Sequence, residues 1–296
     1  MAENIPEVVT DIRAVLGEGP SWDARNAVLY WVDIIGGKVH VHNPTDRSDR
    51  TIPVQKYVSA VVPRKSGGAV VTLQHGYYSL DLASGRFEPL SEQVETEIPG
   101  NRFNDGKVDP AGRFWAGTMD MAERGPKGAL YVLEKNRALR KVLSGVSISN
   151  GLGWNPNNKV MYYIDTPTRK VAAFDYDLQS GAITNRRTAV DFTVQNQKGN
   201  PDGLAVDAEG MIWVAHWGGS RITRWDPARG TLLDTISFPA LQVSSCCFGG
   251  KNLDELYVTT ARNELDSKIL EAQPLTGALF MVRPGVRGLP TYAYDG

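Results

Sequence analysis

A polar turn followed by a short apolar strand recurs six times along the chain, at intervals of roughly 40 to 50 residues. The turns are built from Gly, Pro, Asn and Asp, and the runs that follow are rich in β-branched and aromatic residues, which is typical of β-strands. Several copies continue into a second hairpin, so each unit has the pattern of a four-stranded antiparallel meander. The turns begin at Asp23, Arg64, Asp109, Asn155, Asp207 and Gly249.

Four-stranded repeats of this length are typical of a β-propeller, in which blades pack face to face around a central channel. Six copies fill the 296 residues, and no stretch longer than about ten residues keeps a helical period. We therefore predict an all-β protein, a single six-bladed β-propeller domain spanning residues 1–296. The segment 7–15 is predicted to add the outer strand of the last blade, and the polar segment 194–200 to form a surface loop.

Polar residues stand five positions before the start of each turn. In a propeller this position enters the innermost strand of a blade, so the six side chains should surround one mouth of the channel. These ring positions are Glu18, Ser59, Asn104, Asn150, Asp202 and Ser244. Two carboxylates and two amide oxygens suit a hard or borderline divalent cation such as Ca²⁺. The alternative is that polar side chains here only face channel water.

The segment 101–106 brings a guanidinium, an amide and a carboxylate within four residues, at Arg102, Asn104 and Asp105. Such a group of side chains suits a polyoxygenated ligand or a cation. The alternative is an Asn-Asp-Gly loop whose side chains bond to nearby backbone.

Five segments of the chain resemble, in the same order, motifs of the senescence marker protein/gluconolactonase/luciferin-regenerating enzyme family. The resemblance covers nearly the whole chain and extends through the tail from Phe248 to Pro290. The five segments are 16–22, 101–112, 149–152, 201–207 and 215–219.

The resemblance implies a six-bladed propeller that holds one catalytic divalent metal ion, Ca²⁺ or Zn²⁺, with Mg²⁺, Mn²⁺ and Fe²⁺ as alternatives. It matches Glu18, Asn150 and Asp202 to the metal ligands and gives Asp202 a second role as the general base. Arg102 and Asn104 match the substrate-binding pair, so Asn104 would face the substrate rather than the metal.

Some members of this family carry an acidic substrate contact shortly after a Gly-Thr-Met motif, which here is 117–119. The candidates are Asp120 and Glu123, and we favour Asp120.

These observations predict a metal-dependent lactonase that hydrolyses an aldonolactone, such as glucono-, galactono-, arabinono- or xylonolactone, to the open aldonic acid. The chain has no Gly-x-Ser-x-Gly elbow, which argues against a serine nucleophile. The alternative function is a non-enzymatic propeller that binds calcium or a protein partner.

Charge and composition exclude several classes of partner. Lys and Arg total 32 against 33 Asp and Glu, so the net charge of -1 gives no electrostatic basis for binding nucleic acid or an anionic membrane. No apolar run approaches the length of a membrane span, and the N-terminus lacks a signal peptide pattern. We therefore expect a cytoplasmic protein whose partner is a small-molecule lactone, with no nucleic acid and no membrane.

Three further sites have a structural and a functional interpretation. The adjacent Cys246 and Cys247 are interpreted as buried small apolar residues, because a disulfide between neighbours is strained. His216, beside Trp217, is interpreted as structural, with metal binding or stacking on a sugar as the alternative. Asp33 either lines the channel or caps a turn.

Overall fold

A computed structural model of the protein describes residues 5–54, 57–194 and 197–296. Its strands form six four-stranded antiparallel sheets, which are arranged as the blades of a propeller. The predicted all-β, six-bladed fold is therefore confirmed. In every blade the innermost strand contacts the innermost strands of both neighbouring blades, so the six inner strands surround the central channel.

Blades 1 to 5 each contain four consecutive strands, and blade 6 combines the first strand of the chain with the last three. The first strand is β1 (Glu7–Val8). Blade 1 contains β2 (Gly17–Asp23), β3 (Val28–Asp33), β4 (Lys38–Asn43) and β5 (Ser48–Pro53), and blade 2 contains β6 (Ala60–Pro63), β7 (Ala69–Leu73), β8 (Gly76–Leu80) and β9 (Phe87–Pro89). Blade 3 contains β10 (Asn101–Val108), β11 (Phe114–Asp120), β12 (Gly128–Leu133) and β13 (Leu139–Val146), and blade 4 contains β14 (Ser149–Trp154), β15 (Val160–Asp165), β16 (Lys170–Tyr176) and β17 (Ile183–Asp191). Blade 5 contains β18 (Asn200–Val206), β19 (Ile212–Trp217), β20 (Arg221–Asp226) and β21 (Thr231–Ser237), and blade 6 adds β22 (Gln242–Gly249), β23 (Glu255–Ala261) and β24 (Phe280–Val282) to β1.

The N-terminal segment closes the ring, as predicted, but its strand is shorter than predicted. β1 pairs antiparallel with β24, with Glu7 opposite Met281 and Val8 opposite Phe280. Residues 9–15 continue along the same blade through separate bonds, such as the one from Ala14 N to Gly277 O at 2.8 Å. The outer strand therefore covers two residues rather than the predicted nine.

Two short helices interrupt the strands in the described part of the chain. A 3₁₀ helix (Thr166–Thr168) follows β15, and the helix α1 (Ser267–Ala272) lies between β23 and β24. The α1 helix begins where the Asp266 side chain accepts a hydrogen bond from Ile269 N at 2.9 Å, a standard N-cap contact. None of the described helices is long and apolar enough to cross a membrane.

The predicted surface loop at 194–200 is exposed or half-buried where it is described, and its last residue, Asn200, begins β18. Val194 is 79% exposed, whereas Gln195 and Asn196 lie outside the described residues.

Aromatic side chains fill the interfaces between blades. Between blades 3 and 4, the buried ring of Trp115 packs edge to face against Trp154 and Tyr176, with centroids 5.9 and 6.3 Å apart. Such pairs contribute about 0.5–1.5 kcal/mol each beyond the free energy of burying their surface.

The aspartates that begin three of the repeat turns are buried and bonded; we call Asp23, Asp109 and Asp207 the turn aspartates. Asp109 Oδ2 accepts hydrogen bonds from Arg113 Nε at 2.6 Å, Trp115 Nε1 at 2.9 Å and Tyr176 OH at 2.7 Å. Because Tyr176 belongs to blade 4, the carboxylate joins two blades at the end of the channel opposite the ring positions.

The C-terminal tail, residues 283–296, crosses that same end of the channel. Its backbone bonds to blades 5, 2 and 3 through Leu289 N to Val206 O, Tyr294 N to Pro63 O and Asp295 N to Gly112 O. A cavity of about 80 Å³ remains between the tail and the inner strands. The tail therefore occupies one end of the channel, and the ring positions lie at the other.

Candidate functional site

The ring positions lie at the start of the innermost strands, and β-bulges turn their side chains. Five of the ring residues belong to an innermost strand, and Ser59 directly precedes β6. In five blades the pairing between the first two strands shifts register at this point, whereas the described part of blade 2 keeps its register. A bulge bends its strand and re-aims a side chain, and bulges are common next to active sites. The shifts lie between Glu18 and Ser21, Phe103 and Gly106, Ser149 and Leu152, Pro201 and Leu204, and Val243 and Ser245.

The glycines that follow three ring residues let the backbone adopt this shape. Gly19 has a φ of +52°, a conformation that favours glycine. A Cβ atom on Gly151 would lie 2.5 Å from Leu204 N, and one on Gly203 would lie 2.1 Å from Ser245 Oγ. Glycine therefore permits the inner strands of neighbouring blades to approach closely.

Several ring side chains bond to the carbonyl that precedes the ring residue of the next blade; we call these the inter-blade bonds. Ser59 Oγ donates to Phe103 O at 2.5 Å, Asn104 Nδ2 to Ser149 O at 2.8 Å and Ser244 Oγ to Gly17 O at 2.5 Å. Among the described residues, the carboxyl groups of Glu18 and Asp202 make no such bond. The ring therefore combines structural donors with two carboxylates that are left for another role.

The carboxylates at the mouth are buried with few donors. Glu18 is 5% exposed and Asp202 is 6% exposed. Glu18 Oε2 accepts a hydrogen bond from Gly19 N at 3.0 Å, and Asp105 Oδ1 accepts one from Gly106 N at 2.6 Å. Among the described residues none donates a hydrogen bond to Asp202.

Burial and mutual repulsion disfavour the charged forms of these carboxylates. Burial, reinforced by the charge of Asp105, raises the pKa of Glu18 to about 8. The pKa of Asp202 lies well above its usual range, first because of burial and then because of Glu18 and Asp105, while Arg102 opposes the shift. Burial also raises the pKa of Asp105, which Lys107 opposes. A cation placed among these side chains would favour their ionised forms.

The residues present fit a divalent cation that takes oxygen ligands. In the described ranges no three His, Cys, Asp or Glu side chains are grouped so as to hold a metal by themselves. A third oxygen ligand would come from the amide of Asn150, which lies in blade 4, between Asp202 in blade 5 and Arg102 in blade 3. Two carboxylates and an amide oxygen are hard ligands, a set that suits Ca²⁺ or Mg²⁺.

A chain of hydrogen bonds joins the substrate-binding candidates to Asn150. Arg102 Nη1 donates to Phe103 O at 2.9 Å and to Asn104 Oδ1 at 2.7 Å. Asn104 Nδ2 donates to Asn150 Oδ1 at 3.0 Å as well as to Ser149 O. Arg102 Nε and Nη2 have no hydrogen-bond acceptor within the described parts of the chain. The sequence-predicted residues Arg102, Asn104 and Asn150 are thus adjacent, and Arg102 keeps two donor nitrogens for a ligand.

Arg102 stays charged although it is buried. Burial lowers its pKa to about 10, which the charges of Glu18, Tyr57, Glu123 and Asp202 oppose in that order. The guanidinium is therefore protonated at neutral pH.

Asp120 lies at the end of β11 and is engaged in holding the loop that follows. Its Oδ2 pairs with Lys127 Nζ at 2.9 Å and its Oδ1 accepts a hydrogen bond from Ala122 N at 3.1 Å. These bonds, led by the one from Lys127, keep its pKa below the usual range. Glu123 lies at the exposed turn of the same loop, with a φ of +52°, and its charge acts on Arg102.

His216 and Asp33 have the bonding of structural residues. His216 is fully buried, its Nε2 lies 2.6 Å from Thr223 Oγ1, and its ring packs against Phe192. Burial lowers its pKa to about 4, so it is neutral at pH 7. Asp33 caps a turn, because its carboxylate accepts hydrogen bonds from three backbone N–H groups, including Val15 N at 2.9 Å.

Cys246 and Cys247 are free and buried, which confirms that they act as apolar residues. Burial raises the pKa of Cys246 to about 12 and shifts the pKa of Cys247 in the same direction.

The spacing of the repeats does not identify two polar residues beside the ring. Asp105 is offset by one from its ring position, although the Asn-Asp-Gly segment indicates it as a ligand candidate. Thr166, which accepts a hydrogen bond from Asn150 Nδ2 at 2.7 Å, lies in a turn sixteen residues away and has no signal in the repeat.

Comparison with known proteins places the chain in a family. The SMP-30/Gluconolactonase/LRE-like region matches residues 16–262. The chain is 40% identical to regucalcin from Danio rerio over 98% of both chains, and 38% identical to a putative sugar lactone lactonase from Bacillus subtilis over 97% of both. The crystal structure of a calcium-binding protein, regucalcin, from Agrobacterium tumefaciens is similar, with a TM-score of 0.93 and 27% identity over 99% of both chains. This chain therefore belongs to the SMP-30/gluconolactonase/LRE-like family.

Proposed function

We propose that the protein hydrolyses the ester bond of a sugar-acid lactone with the help of a divalent cation held by Glu18, Asn150 and Asp202. The observation that carries this proposal is the pair of buried carboxylates, Glu18 and Asp202, which have raised pKa values and, within the described residues, a single donor, Gly19 N to Glu18. The relative from Bacillus subtilis named a putative sugar lactone lactonase supports the choice of substrate class.

The bound cation would supply Lewis-acid polarisation of the lactone carbonyl and offset the negative charge that develops on its oxygen. Asp202 would accept the proton of the attacking water, as a general base. Its carboxylate suits this role because no hydrogen bond from the described residues occupies it, and a neighbouring cation would keep it ionised.

Arg102 and Asn104 would fix the sugar acid beside these carboxylates. The free Nε and Nη2 donors of Arg102 suit the hydroxyl or carbonyl oxygens of a lactone. Asn104 already uses both its amide ends, so its contribution is to orient Arg102 and Asn150 and to offer the second lone pair of Oδ1.

The different bonding of Asp120 and Glu123 supports different roles for the two candidates for the acidic substrate contact. Because Asp120 is paired with Lys127, it would act on the substrate mainly by holding the loop 121–127. Glu123 has its carboxylate at the exposed turn of that loop and would make the direct contact with a sugar hydroxyl.

The alternative function is a propeller that binds calcium without turnover. The relatives named regucalcin, one of them a calcium-binding protein, favour it, since the same carboxylates would serve both functions. The free donors of Arg102 beside the carboxylates favour the enzyme, because cation binding alone does not need them.

A pH-indicator assay separates these functions. The protein is first treated with a chelator and then supplied with Ca²⁺, Zn²⁺, Mg²⁺ or Mn²⁺ against glucono-, galactono-, arabinono- and xylonolactone. We expect acid release that depends on added metal and is lost in Glu18→Gln. Ca²⁺ binding without acid release from any of these lactones would favour the non-enzymatic alternative.

A further inference from the structure

In blade 4 the inter-blade bond is indirect, because a second side chain stands between the ring residue and the carbonyl. In blades 2, 3 and 6 the ring side chain itself donates to the carbonyl before the next ring residue. Asn150 instead donates from Nδ2 to Thr166 Oγ1 at 2.7 Å, and Thr166 Oγ1 donates to Pro201 O at 2.8 Å. Pro201 directly precedes Asp202, so the threonine hydroxyl occupies the place that an asparagine side chain takes in blade 3.

This relay determines which end of the Asn150 amide is available. The Thr166 hydroxyl gives its single proton to Pro201 O and can therefore only accept from Asn150, which requires the NH₂ group there. Asn104 Nδ2 donates to the other end at 3.0 Å, which requires the oxygen there. Reversing the amide would place two NH₂ groups together and an oxygen against a hydroxyl oxygen, so both partners specify the same orientation.

The backbone holds Thr166 in position for this contact. Thr166 N donates to Ile148 O at 3.1 Å, and the preceding Asp165 accepts hydrogen bonds from Ser147 N and Ile148 N. Pro167 follows in the 3₁₀ helix and restricts the backbone further. The hydroxyl is thus fixed between the strands that carry Asn150 and Asp202.

We propose that Thr166 is a positioning residue that presents the Asn150 amide oxygen to the cation. This inference rests on the proposed metal site and extends it to a residue that touches neither the cation nor the substrate. Without the hydroxyl, the Asn150 NH₂ group would bond to Pro201 O directly, as Asn104 bonds to Ser149 O, and the amide oxygen would be drawn out of the site.

The test is calorimetric titration of the metal-free protein with Ca²⁺ alone. Thr166→Val and Thr166→Ala should weaken Ca²⁺ binding by about 10–100-fold, the usual effect of removing a residue that orients a metal ligand. Thr166→Ser keeps the hydroxyl and should restore an affinity close to that of the original protein. The matched control is Thr168→Val, since Thr168 lies in the same 3₁₀ helix but bonds to Asp165 O.

Unfolding temperatures of the metal-free variants separate positioning from folding. We expect Thr166→Ser to have the unfolding temperature of the original protein. Across the variants, the decrease in unfolding temperature should not correlate with the decrease in Ca²⁺ affinity. Equal Ca²⁺ affinity in Thr166→Val, Thr166→Ala and the original protein would overturn the role of Thr166 and leave the metal site intact. Failure of the original protein to bind Ca²⁺, Zn²⁺ or Mg²⁺ would overturn the metal site itself, and Thr166 with it.

Hydrolysis gives an independent readout. Because the Thr166 hydroxyl is already engaged by Asn150 and Pro201 O, saturating Ca²⁺ should restore the kcat of Thr166→Val, whereas its rate at buffered low Ca²⁺ should stay depressed. A kcat that remains low at saturating Ca²⁺ would contradict a role limited to presenting Asn150.

Discussion

The repeats place two kinds of buried carboxylate at opposite ends of the innermost strands, five residues apart, and the two kinds have different hydrogen-bond partners. Asp207, a turn aspartate, is fully buried, and its Oδ2 accepts hydrogen bonds from Trp213 Nε1 at 3.0 Å and Arg224 Nε at 2.8 Å. Asp202, at the ring position of the same repeat, has no such donor among the described residues, and its pKa is raised well above the usual range. Burial alone therefore does not distinguish structure from function, whereas the number of donors does.

This contrast has a physical basis. A buried charge costs several kcal/mol unless hydrogen bonds and an opposite charge compensate for it, so an uncompensated carboxylate persists only where binding supplies the compensation. Hydrogen bonds within the protein compensate the charge of the turn aspartates, so replacing one of them should lower the free energy of unfolding. Glu18 and Asp202 lack this compensation among the described residues, so replacing them should change ligand binding and turnover.

The largest effect is expected for Asp202→Asn. If Asp202 is the general base, the amide cannot accept the proton of water, and kcat should fall by about 10²–10⁴-fold even at saturating metal. The measurement is kcat across a metal titration. Full rescue by excess metal would restrict Asp202 to holding the cation.

Asp109→Asn should lower the stability of the protein and leave its cation site unchanged. It leaves the buried Arg113 without its ionic partner, which should lower the free energy of unfolding by about 3–5 kcal/mol. Urea denaturation measures this loss, and the Ca²⁺ affinity of the folded variant should be unchanged. A loss of Ca²⁺ affinity without a loss of stability would reverse the assignment of the two kinds of carboxylate.

Arg102→Lys should affect binding more than chemistry. Lysine cannot reproduce the planar guanidinium donors, so KM should rise about tenfold or more, given that a hydrogen bond to a charged group contributes about 1.5–3 kcal/mol. The value of kcat should change less, because the contact is made in both the ground and transition states. Equal losses in kcat and kcat/KM would assign Arg102 to the transition state alone.

The last prediction concerns the pH dependence of stability in the metal-free protein. Glu18 has a pKa of about 8 when folded and 4.5 as its ordinary value, so between these values the folded state binds more protons than the unfolded state. Stability should therefore be highest below about pH 4.5 with respect to this group and fall as the pH rises to about 8. Unfolding temperatures across this range measure the trend, which Glu18→Gln should reduce but not abolish, because the pKa values of Asp202 and Asp105 are also raised.

The sequence predicts the ring positions because each repeat has a polar residue at the same distance, five positions, before its turn. A contact between two different repeats leaves no such recurring pattern in the sequence, so it cannot be predicted in this way. The sequence gives no sign that Lys127 pairs with Asp120, and the relay through Thr166 depends on two turns that are brought together by folding. The six-residue α1 helix, Ser267–Ala272, is too short for its periodicity to stand out in the sequence.

The most direct test of the account is calorimetric titration of Ca²⁺ into the metal-free protein and into Glu18→Gln and Asp109→Asn, each at several pH values between 5 and 8. We expect the original protein to release protons on binding and to bind more tightly as the pH rises, because the cation displaces the proton of Glu18. Asp109→Asn should behave in the same way, and Glu18→Gln should bind roughly tenfold or more weakly, since ligand charge sets Ca²⁺ affinity. Equal affinity of Glu18→Gln and the original protein, with no proton release from either, would contradict the claim that the uncompensated carboxylates form the cation site.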